Sequence, residues 1–492
     1  MYGISKKINS KMIWQALLLM SVIFMVFIGT AAAATVDENA AAIEKNAEDI
    51  AQNAEDIGVN AEDIGNLQTA LTFMWLLLCG ALVFFMHAGF SLVEIGLTRT
   101  KNTANILMKN FMTICLGIIV YWLVGWGIMY GADAAGILGT DQFMLMGAMD
   151  NATWNGWWFQ MVFAATGATI VSGAMAERTD FKSYLIYTVL LVAFIYPVYG
   201  HWVWSGSGIL TSGFLVDAIG ETFHDFAGSS VVHSIGGYSA LAGIMIVGPR
   251  IGKFKNGKAV AIPGHSLPLA FLGTLILALG WVGFNGGSTL DGNDPYANLV
   301  IVNTFLAAGA GAIMVMIITW MKTGKPDPSL TANGMLAGLV AITAPCGSVA
   351  NWAAVVIGII AGIVVYAGVM FNENTLKLDD PVGAVAVHGY CGTWGVISVG
   401  IFALGQGDGS MLADAAYTAA GAGLLYGGTA QFMIQVVGAI LSIVWAFVIS
   451  FIVFKIIDAI IGLRVSEEDE IAGLDVVEHG ISAYPEFAIL KE

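Results

Sequence analysis

Two short segments of the sequence match each other and contain one histidine each: DFAGSSVVHSIGG at 225–237 and DPVGAVAVHGYCG at 380–392. The matching positions are Asp225, Gly228, His233 and Gly237 in the first segment and Asp380, Gly383, His388 and Gly392 in the second. An imidazole can donate a hydrogen bond, accept one, and carry a proton near neutral pH. A buried pair of histidines could therefore bind a small polar guest or pass protons.

Both histidines lie within long apolar stretches, where an ionisable side chain is costly and indicates a function. On a continuous helix each Asp would lie roughly 12 Å from its His, with the carboxylate near a membrane surface and the imidazole at depth. A single buried histidine is more often a hydrogen-bonded core residue. Two histidines in related positions instead predict a symmetric pathway, with His233 and His388 at the same level near the midplane.

The composition is typical of a helical membrane protein. The chain has 492 residues, of which 57% are hydrophobic and 11% charged, and its mean hydropathy is +0.79. Apolar runs of membrane-spanning length recur along it, which predicts an all-α polytopic protein of the cell membrane. Much of the net charge of −16 lies in the terminal segments and gives no indication of a nucleic-acid partner.

The sequence does not show the residue patterns of an enzyme. Its cysteines lie far apart in or beside apolar runs, without the spacing of metal ligands, and are interpreted as buried thiols. They are Cys79, Cys115, Cys346 and Cys391. A nucleophile–base set and a nucleotide-binding loop are also missing. We therefore expect no enzymatic activity, no metal and no cofactor.

We expect eleven membrane spans, near 71–95, 105–130, 157–176, 183–202, 227–248, 266–285, 298–321, 331–346, 352–371, 384–405 and 431–455. The loop bases fall in alternate loops, at Arg99, Lys101, Arg178, Lys182, Arg250, Lys253, Lys255, Lys258, Lys322, Lys325 and Lys377. The positive-inside rule then places the mature N-terminus outside and the C-terminus in the cytoplasm. The two histidine units run in opposite directions, which predicts two inverted five-helix repeats followed by a last helix.

Two segments precede the spans. Residues 1–34 have a basic start, an apolar stretch and small residues, the layout of a secretory signal peptide; an uncleaved first helix is the alternative. Residues 35–68 carry a seven-residue repeat that predicts an extracellular coiled coil between subunits. Its isoleucines, Ile43, Ile50, Ile57 and Ile64, share one heptad position and pair with the Asn or the Ala of the repeat. An acidic solvated linker is the other interpretation.

Several motifs together resemble a known family. They are DFAGSSVVH, HGYCG, GWVGFNGGS at 280–288, AERTDF at 176–181 and GLRVSEEDEIAGLDVVEHG near the C-terminus. In this order they resemble the ammonium transporter family (the ammonium transporter and Rhesus group) from about residue 69 to the C-terminus. The resemblance implies a homotrimer with one narrow apolar pore per subunit. It also implies a membrane domain over residues 69–456 and a cytoplasmic regulatory tail over residues 457–492.

The resemblance further implies roles for individual residues. The twin pore histidines are His233 and His388. The residues of an external site that recruits the ammonium ion are Trp204, Ser288, Phe163 and Asp225, the last of which holds the site together. The rings that close the pore beneath this site are Phe163 and Phe284. The family pattern leads us to expect an Asp five residues before the second histidine, where this chain has Gly383.

The physical chemistry of ammonium agrees with these residue types. A desolvated Trp face attracts a cation by about 1–2 kcal/mol. Beneath it, an apolar bore lined by Phe excludes a bare charge. Ammonium can give up its proton and cross as ammonia, which potassium cannot do. The sequence therefore favours a transporter of ammonium, with methylammonium as an analogue, and a proton relay along the two histidines is a hypothesis. A sensor that reports ammonium through its tail or through partners is the alternative.

The acidic segment after the last span is too short to fold alone. We expect it to pack on the inner, cytoplasmic face of its own trimer, where the loop bases Lys253 and Lys255 are available. The resemblance implies that this tail couples the subunits. It also implies that a trimeric PII-type signalling protein closes the cytoplasmic mouths of the pores.

Overall fold

The computed structural model describes residue 18 and residues 36–147, 150–405 and 420–487. The chain divides into two compact units, Met1–Ala70 and Leu71–Glu492. The predicted signal peptide, residues 1–34, lies outside the described residues except for residue 18.

The first unit is helical where it is described, and it provides the beginning of helix α1, Val36–Gly96. Its repeats are rich in Ala and Glu, which favour helix. The heptad isoleucines Ile43, Ile50, Ile57 and Ile64 are each about half exposed, at 51–53%. An apolar stripe this narrow can be buried only against other helices.

The second unit is built mainly from helices. In chain order they are α1 (Val36–Gly96, which begins in the first unit), α2 (Thr100–Tyr130), α3 (Asn151–Ala174), α4 (Phe181–Trp204), α5 (Phe214–Ile219), α6 (Ser229–Val247), α7 (Leu267–Gly286), α8 (Ala297–Thr323), α9 (Pro328–Ile342), α10 (Asn351–Leu376), α11 (Val385–Phe402), α12 (Ala430–Ile461), α13 (Glu467–Ala472) and α14 (Leu474–His479). Two short antiparallel hairpins pair β1 (Asp133–Ala134) with β2 (Leu138–Gly139) and β3 (Phe254–Lys255) with β4 (Lys258–Ala259).

Within the described ranges, nine helices are long and apolar enough to cross a membrane: α1, α2, α4, α6, α7, α8, α10, α11 and α12. Helix α9 is apolar but shorter, at 15 residues. Helix α3 has 24 residues, most of them buried among the other helices. The chain is therefore a polytopic, mainly helical membrane protein, as its composition predicts.

Several of the long helices contain a π-helical turn. These turns are Tyr121–Gly125, Leu191–Ile195, Ser229–Ser234, Val282–Gly286, Asn372–Leu376 and Val385–Tyr390. A π turn adds one residue to a helical turn and re-aims the side chains around it, and such turns are frequent at functional sites. Three of the residues predicted for the pore, His233, Phe284 and His388, lie in π turns.

Buried ion pairs join the loops after α1, α3, α6 and α10. The guanidinium of Arg250 donates two hydrogen bonds to the carboxylate of Asp379, at 2.8 and 3.0 Å, and its backbone N–H donates a third at 2.9 Å. Arg250 and Arg99 both pair with Glu177, and Arg178 donates to the Asp379 carbonyl. All of these carboxylates and the Arg250 side chain are nearly inaccessible.

The charges of this loop cluster determine the ionisation of its acids. Burial alone would raise the pKa of Asp379, but the neighbouring Arg178 and Arg250 hold that pKa well below its usual range. Burial likewise acts to raise the pKa of Glu177, and Arg250 and Arg99 more than offset it, so that pKa is also lowered. Both acids are therefore ionised, and the cluster contributes stability that is lost only when the pH falls through these lowered values.

The tail packs on the loops and helix ends of the same chain. Lys101 donates to the carbonyls of Glu470 and Ile471, at 2.5 and 2.7 Å. The Asp475 carboxylate accepts from the backbone N–H of Asn105 at 2.9 Å, near the start of α2. The tail is thus held through hydrogen bonds to one end of the helical bundle.

The expectation that the loop bases Lys253 and Lys255 hold the tail is wrong. Lys253 pairs with Glu373, and Lys255 is exposed in the β3–β4 hairpin. The tail carboxylate of Glu470 instead pairs with Arg464 at 2.6 Å and accepts from the backbone N–H of Ile251 at 2.7 Å. Backbone donors and a base within the tail itself were not visible in the charge pattern of the loops.

A carboxyl group at the tail–helix contact makes docking of the tail sensitive to pH. Glu478 accepts from the backbone N–H of Phe181 at 2.9 Å and from the side chain of Asn105. Burial raises the pKa of Glu478 to about 7, and the Asp180 carboxylate acts in the same direction. The docked tail therefore binds this proton more tightly than a released tail, so docking is most stable at low pH and weakens as the pH rises through about 7.

We expect limited proteolysis of the tail to be faster at about pH 8 than at about pH 6.5, and Glu478→Gln to remove most of the difference. Burial lowers the pKa of His479, so protonation of His479 favours the released tail as the pH falls and acts in the direction opposite to Glu478. Faster cleavage at pH 8 therefore cannot come from His479. Equal cleavage rates at the two pH values in the unaltered protein would contradict the prediction.

Candidate functional site

Asp225 does not lie on the helix that carries His233; it caps that helix. Its carboxylate accepts from the backbone N–H groups of Gly228, Ser229, Ser230 and Val231 at 2.7–3.0 Å, and from the Ser230 hydroxyl at 2.6 Å. The chain can turn into the helix here because Gly228 adopts φ +113°. The expected 12 Å of continuous helix between Asp and His is therefore wrong, since α6 begins only at Ser229.

The second unit repeats this arrangement. Asp380 accepts from the backbone N–H groups of Gly383 and Val385, at 3.0 and 2.8 Å, just before α11. Gly383 has φ +78°, a conformation that an Asp side chain would strain. The carboxylate of the second unit is thus Asp380, and Gly383 matches Gly228 of the first.

The two histidine helices cross at very short range. A methyl group added at Gly237 would overlap the backbone of Gly389, and one added at Gly392 would overlap the Ser229 carbonyl. Glycines at these positions let α6 and α11 approach until their backbones touch, as small residues do between membrane helices. This close crossing is what brings the two repeated units together.

The crossing places the two imidazoles in direct contact. The Nδ1 atoms of His233 and His388 lie 3.1 Å apart, and the ring centroids are 5.2 Å apart with 28° between the planes. His233 is fully buried and His388 is 5% exposed. One Nδ1 donates and the other accepts. If a proton enters at Nε2 of His233, the Nδ1 proton passes to His388 and a proton leaves from Nε2 of His388, then both rings stay neutral overall and both change tautomer.

An aromatic column continues from the histidine pair. His233 stacks on Phe284 with centroids 5.4 Å apart, and Phe284 lies 4.1 Å from Phe163. Phe163 in turn meets Trp204 edge-on at 6.2 Å. Four residues predicted from the sequence, on α3, α4, α6 and α7, therefore form one connected series with His388 at its end.

Hydrogen bonds fix the Trp204 end of this column. The Trp204 indole donates to the Asp225 carbonyl at 2.8 Å, so the residue that caps the His233 helix also orients the Trp204 ring. Ser288 donates to the Phe284 carbonyl at 2.8 Å and is linked to the column through that backbone. All seven predicted residues are thus joined to the column directly or through one hydrogen bond.

The structure adds two rings that the sequence reasoning missed. Trp281 stacks on His233 at 5.5 Å and donates to the Thr343 hydroxyl at 3.0 Å, while Phe90 lies 6.0 Å from His388. Aromatic residues in apolar spans look like core packing, so their types alone gave no signal. Trp281 lies within the GWVGFNGGS motif, three residues before Phe284, and could have been found there.

The fold and this arrangement define a class of protein: a polytopic membrane protein with a buried pair of imidazoles beneath a column of aromatic rings. Comparison with known protein families identifies the family within this class. The Ammonium Transporter Family model covers residues 74–484. The chain belongs to that family, a family of transporters rather than enzymes, as its motifs predict.

Relatives and solved structures give the same result. The chain is 49% identical over 425 residues to the ammonium transporter Amt2 of Archaeoglobus fulgidus, covering 86% of this chain and 90% of that protein. It is 40% identical over 431 residues to Amt1 of Haloferax mediterranei, covering 84% and 79%. Its fold matches a structure titled Sensor Amt Protein with a TM-score of 0.77 at 37% identity, covering 84% of this chain and all of that one. Candida albicans Mep2 matches with a TM-score of 0.74 at 27% identity, covering 85% and 91%.

Proposed function

We propose that this protein transports ammonium across the cell membrane and passes it inward as ammonia. The observation that carries the proposal is the contact between His233 and His388 at the end of the aromatic column. Family membership and the named ammonium transporters among the relatives support the choice of substrate.

Recruitment takes place at the Trp204 end of the column. The half-buried indole face offers cation–π attraction, and the Asp225 carbonyl holds the ring in place through its hydrogen bond. The Ser288 hydroxyl is the second element of this site and accepts an N–H from the ion. The carboxylate of Asp225 is fully used in capping α6, so it positions the site rather than binding the substrate.

The passage below this site selects for a guest that can lose its charge. Phe163 and Phe284 lie 4.1 Å apart and are both buried, so they form a closed apolar gate. An ion that crossed this gate with its charge would lose its hydration with little compensation. Ammonium gives up its proton before the gate, and the proton is taken up at Nε2 of His233, which has no hydrogen-bond partner among the described residues. Ammonia then crosses the gate and hydrogen-bonds to the imidazoles. The proton follows along His233 and His388, which makes transport electrogenic.

The architecture proposed for this function has eleven spans in two inverted five-helix repeats plus a last helix. Helices α3 and α9, added to the nine long apolar helices, give the eleven spans. The matching caps at Asp225 and Asp380 support the assignment of α6 and α11 to equivalent places in the two repeats. The N-terminus lies outside and the tail in the cytoplasm. The signal peptide covers residues 1–34, the membrane domain residues 69–456 and the tail residues 457–492.

The functional assembly is a homotrimer. Residues 35–68 form an external coiled coil between its subunits, because the half-exposed heptad isoleucines need partner helices. The cytoplasmic tail couples the subunits, and a PII-type signalling protein binds at the same face.

A sensor is the second candidate function, and the match to a Sensor Amt Protein favours it. A sensor would use the same recruitment site but pass little substrate. Purified protein in proteoliposomes separates the two, because a transporter takes up labelled methylammonium well above empty liposomes. Binding of ammonium without uptake would identify the sensor and overturn the transport proposal.

Removing the indole of Trp204 tests the recruitment step in the same assay. We expect Trp204→Leu to raise the half-saturating methylammonium concentration about tenfold, since a cation–π contact is worth about 1–2 kcal/mol. The maximal rate should change less. Trp352→Leu is a matched control, because Trp352 is 52% exposed and lies on α10 outside the column. An unchanged half-saturating concentration in Trp204→Leu would contradict a role in recruitment.

A further inference from the structure

A small cavity borders the histidine pair on the His388 side. Its volume is about 30 Å³, and its walls include His388 and Phe90 but not His233. A buried site needs about 10–15 Å³ of such volume to hold one water molecule. The cavity can therefore hold a water molecule or an ammonia molecule next to the exposed edge of the second imidazole.

The cavity wall contains one carboxylate, that of Glu94 near the end of α1. Glu94 is only 2% exposed. Its Oε2 accepts from the Asn110 amide at 3.0 Å and from the Ser172 hydroxyl at 2.9 Å. No donor in the described part of the chain reaches Oε1. A carboxylate buried among membrane helices is costly, and one that borders a cavity and has an oxygen without a donor among the described residues indicates a function.

A buried lysine balances the charge of this carboxylate. Lys109 on α2 is 1% exposed, interacts electrostatically with Glu94, and donates to the Ser172 carbonyl at 3.1 Å. Its ammonium group also lies 5.2 Å from the centre of the Tyr184 ring. Ser172 therefore contacts both charged groups, through its hydroxyl and its carbonyl. With Lys109 protonated, an ionised Glu94 adds no net charge to the helical bundle.

We propose that Glu94 is the proton acceptor that continues the relay beyond His388 and returns the proton to ammonia. This inference rests on the proposed transport function. The Nδ1 of His388 faces His233, so Nε2 is the nitrogen through which the ring can release a proton toward the cavity. Glu94 is the acidic residue that lines this cavity, so its carboxylate is the group there that can accept the proton.

The proton balance closes within the cavity. The His388 imidazolium gives its N–H proton to a cavity water, which passes one of its own protons to Oε1 of Glu94. His388 returns to neutral imidazole and Glu94 becomes a neutral carboxylic acid. Ammonia that arrives in the cavity then takes this proton, which forms ammonium and restores the carboxylate. No other reactant is needed.

The test records ammonium-evoked current from protein reconstituted in proteoliposomes. In Glu94→Gln the side-chain carbonyl still accepts from Asn110 and Ser172, but the group cannot carry the proton. We expect the current to fall on the order of 100-fold, as when a general acid–base is removed. Glu94→Gln combined with Lys109→Met restores charge balance and should show the same loss.

The double variant separates proton transfer from a purely structural role. Recovery of the unaltered current in Glu94→Gln/Lys109→Met would show that Glu94 only neutralises Lys109, and would overturn the inference. Full current in Glu94→Gln alone would overturn it as well. In either case a large loss in the histidine variants would leave the transport proposal standing. Undiminished current in both sets of variants would instead reject the relay itself.

Discussion

Replacement of both pore histidines by leucine is expected to abolish ammonium-evoked current, with a loss of at least about 100-fold. The reason is that His233 and His388 are the titratable groups of the column, with Nδ1 atoms 3.1 Å apart. Without them a proton would have to cross the bore as a bare charge, which the apolar surroundings make prohibitive. Leucine has a volume close to that of histidine, so the helix crossing should be retained.

Val399→Ala provides the matched control for this experiment. Val399 lies on α11 with His388 and is fully buried, but it packs in a small separate cluster with Ala344 and Ala403. Its truncation changes packing on the same helix without touching the column. We expect Val399→Ala to give the same ammonium-evoked current as the unaltered protein and to elute at the same volume in size-exclusion chromatography. An undiminished, ammonium-selective current in the double histidine variant would reject the relay.

Removal of Arg250 is expected to cause the largest loss of stability. In Arg250→Met the buried Asp379 loses the bidentate partner that holds its charge, and Glu177 loses one of its two cations. Breaking a buried ion pair from one side typically lowers the free energy of unfolding by about 3–5 kcal/mol, because an uncompensated charge stays buried. Denaturation in mixed micelles, followed by circular dichroism, measures this loss.

An exposed base serves as the comparison for Arg250. Lys325 lies in the loop between α8 and α9 and is exposed, so Lys325→Met should change stability by no more than about 0.5 kcal/mol. Both substitutions remove one positive charge and introduce the same side chain. If the two variants unfold at the same denaturant concentration, the loop cluster does not hold the four loops together as described.

Much of the helical architecture could be predicted from hydropathy, because a membrane span must satisfy its backbone within one apolar stretch. The boundaries were less accurate where polar residues cap or interrupt a helix. The span expected at 331–346 is α9, Pro328–Ile342, whose start is set by the Asp327 cap. The helix found where a span was expected at 157–176 is α3, which begins earlier, at Asn151, because Asp150 caps it.

At the site as well, the sequence pattern predicted which residues are related but not the local backbone geometry. Repetition of the Asp–His segments was enough to relate His233 and His388, which the structure brings into contact. The caps were missed because the segments from Asp to His were expected to be continuous helix, although Asp often accepts from the first backbone N–H groups of a helix and Gly228 and Gly383 readily adopt positive φ. Their positive φ angles place each Asp beneath its helix rather than along it.

Lys109 and its partner Glu94 show what the charge pattern alone left out. The bases were counted in loops to orient the spans, and Lys109, inside α2, was not among them. Glu94, near the end of α1, was likewise not among the residues predicted for the site. A lysine in an otherwise apolar helix indicates a buried acidic partner, and a search for that partner in the neighbouring span would have found Glu94. The cavity beside them depends on packing and was not predictable.

The most direct test of the central claim is the charge moved per molecule of labelled methylammonium taken up, with current and uptake measured on the same proteoliposomes. A guest that leaves its proton at the recruitment site and regains it beyond the twin histidines carries about one elementary charge inward per molecule. Uptake without charge movement would contradict the relay through His233 and His388.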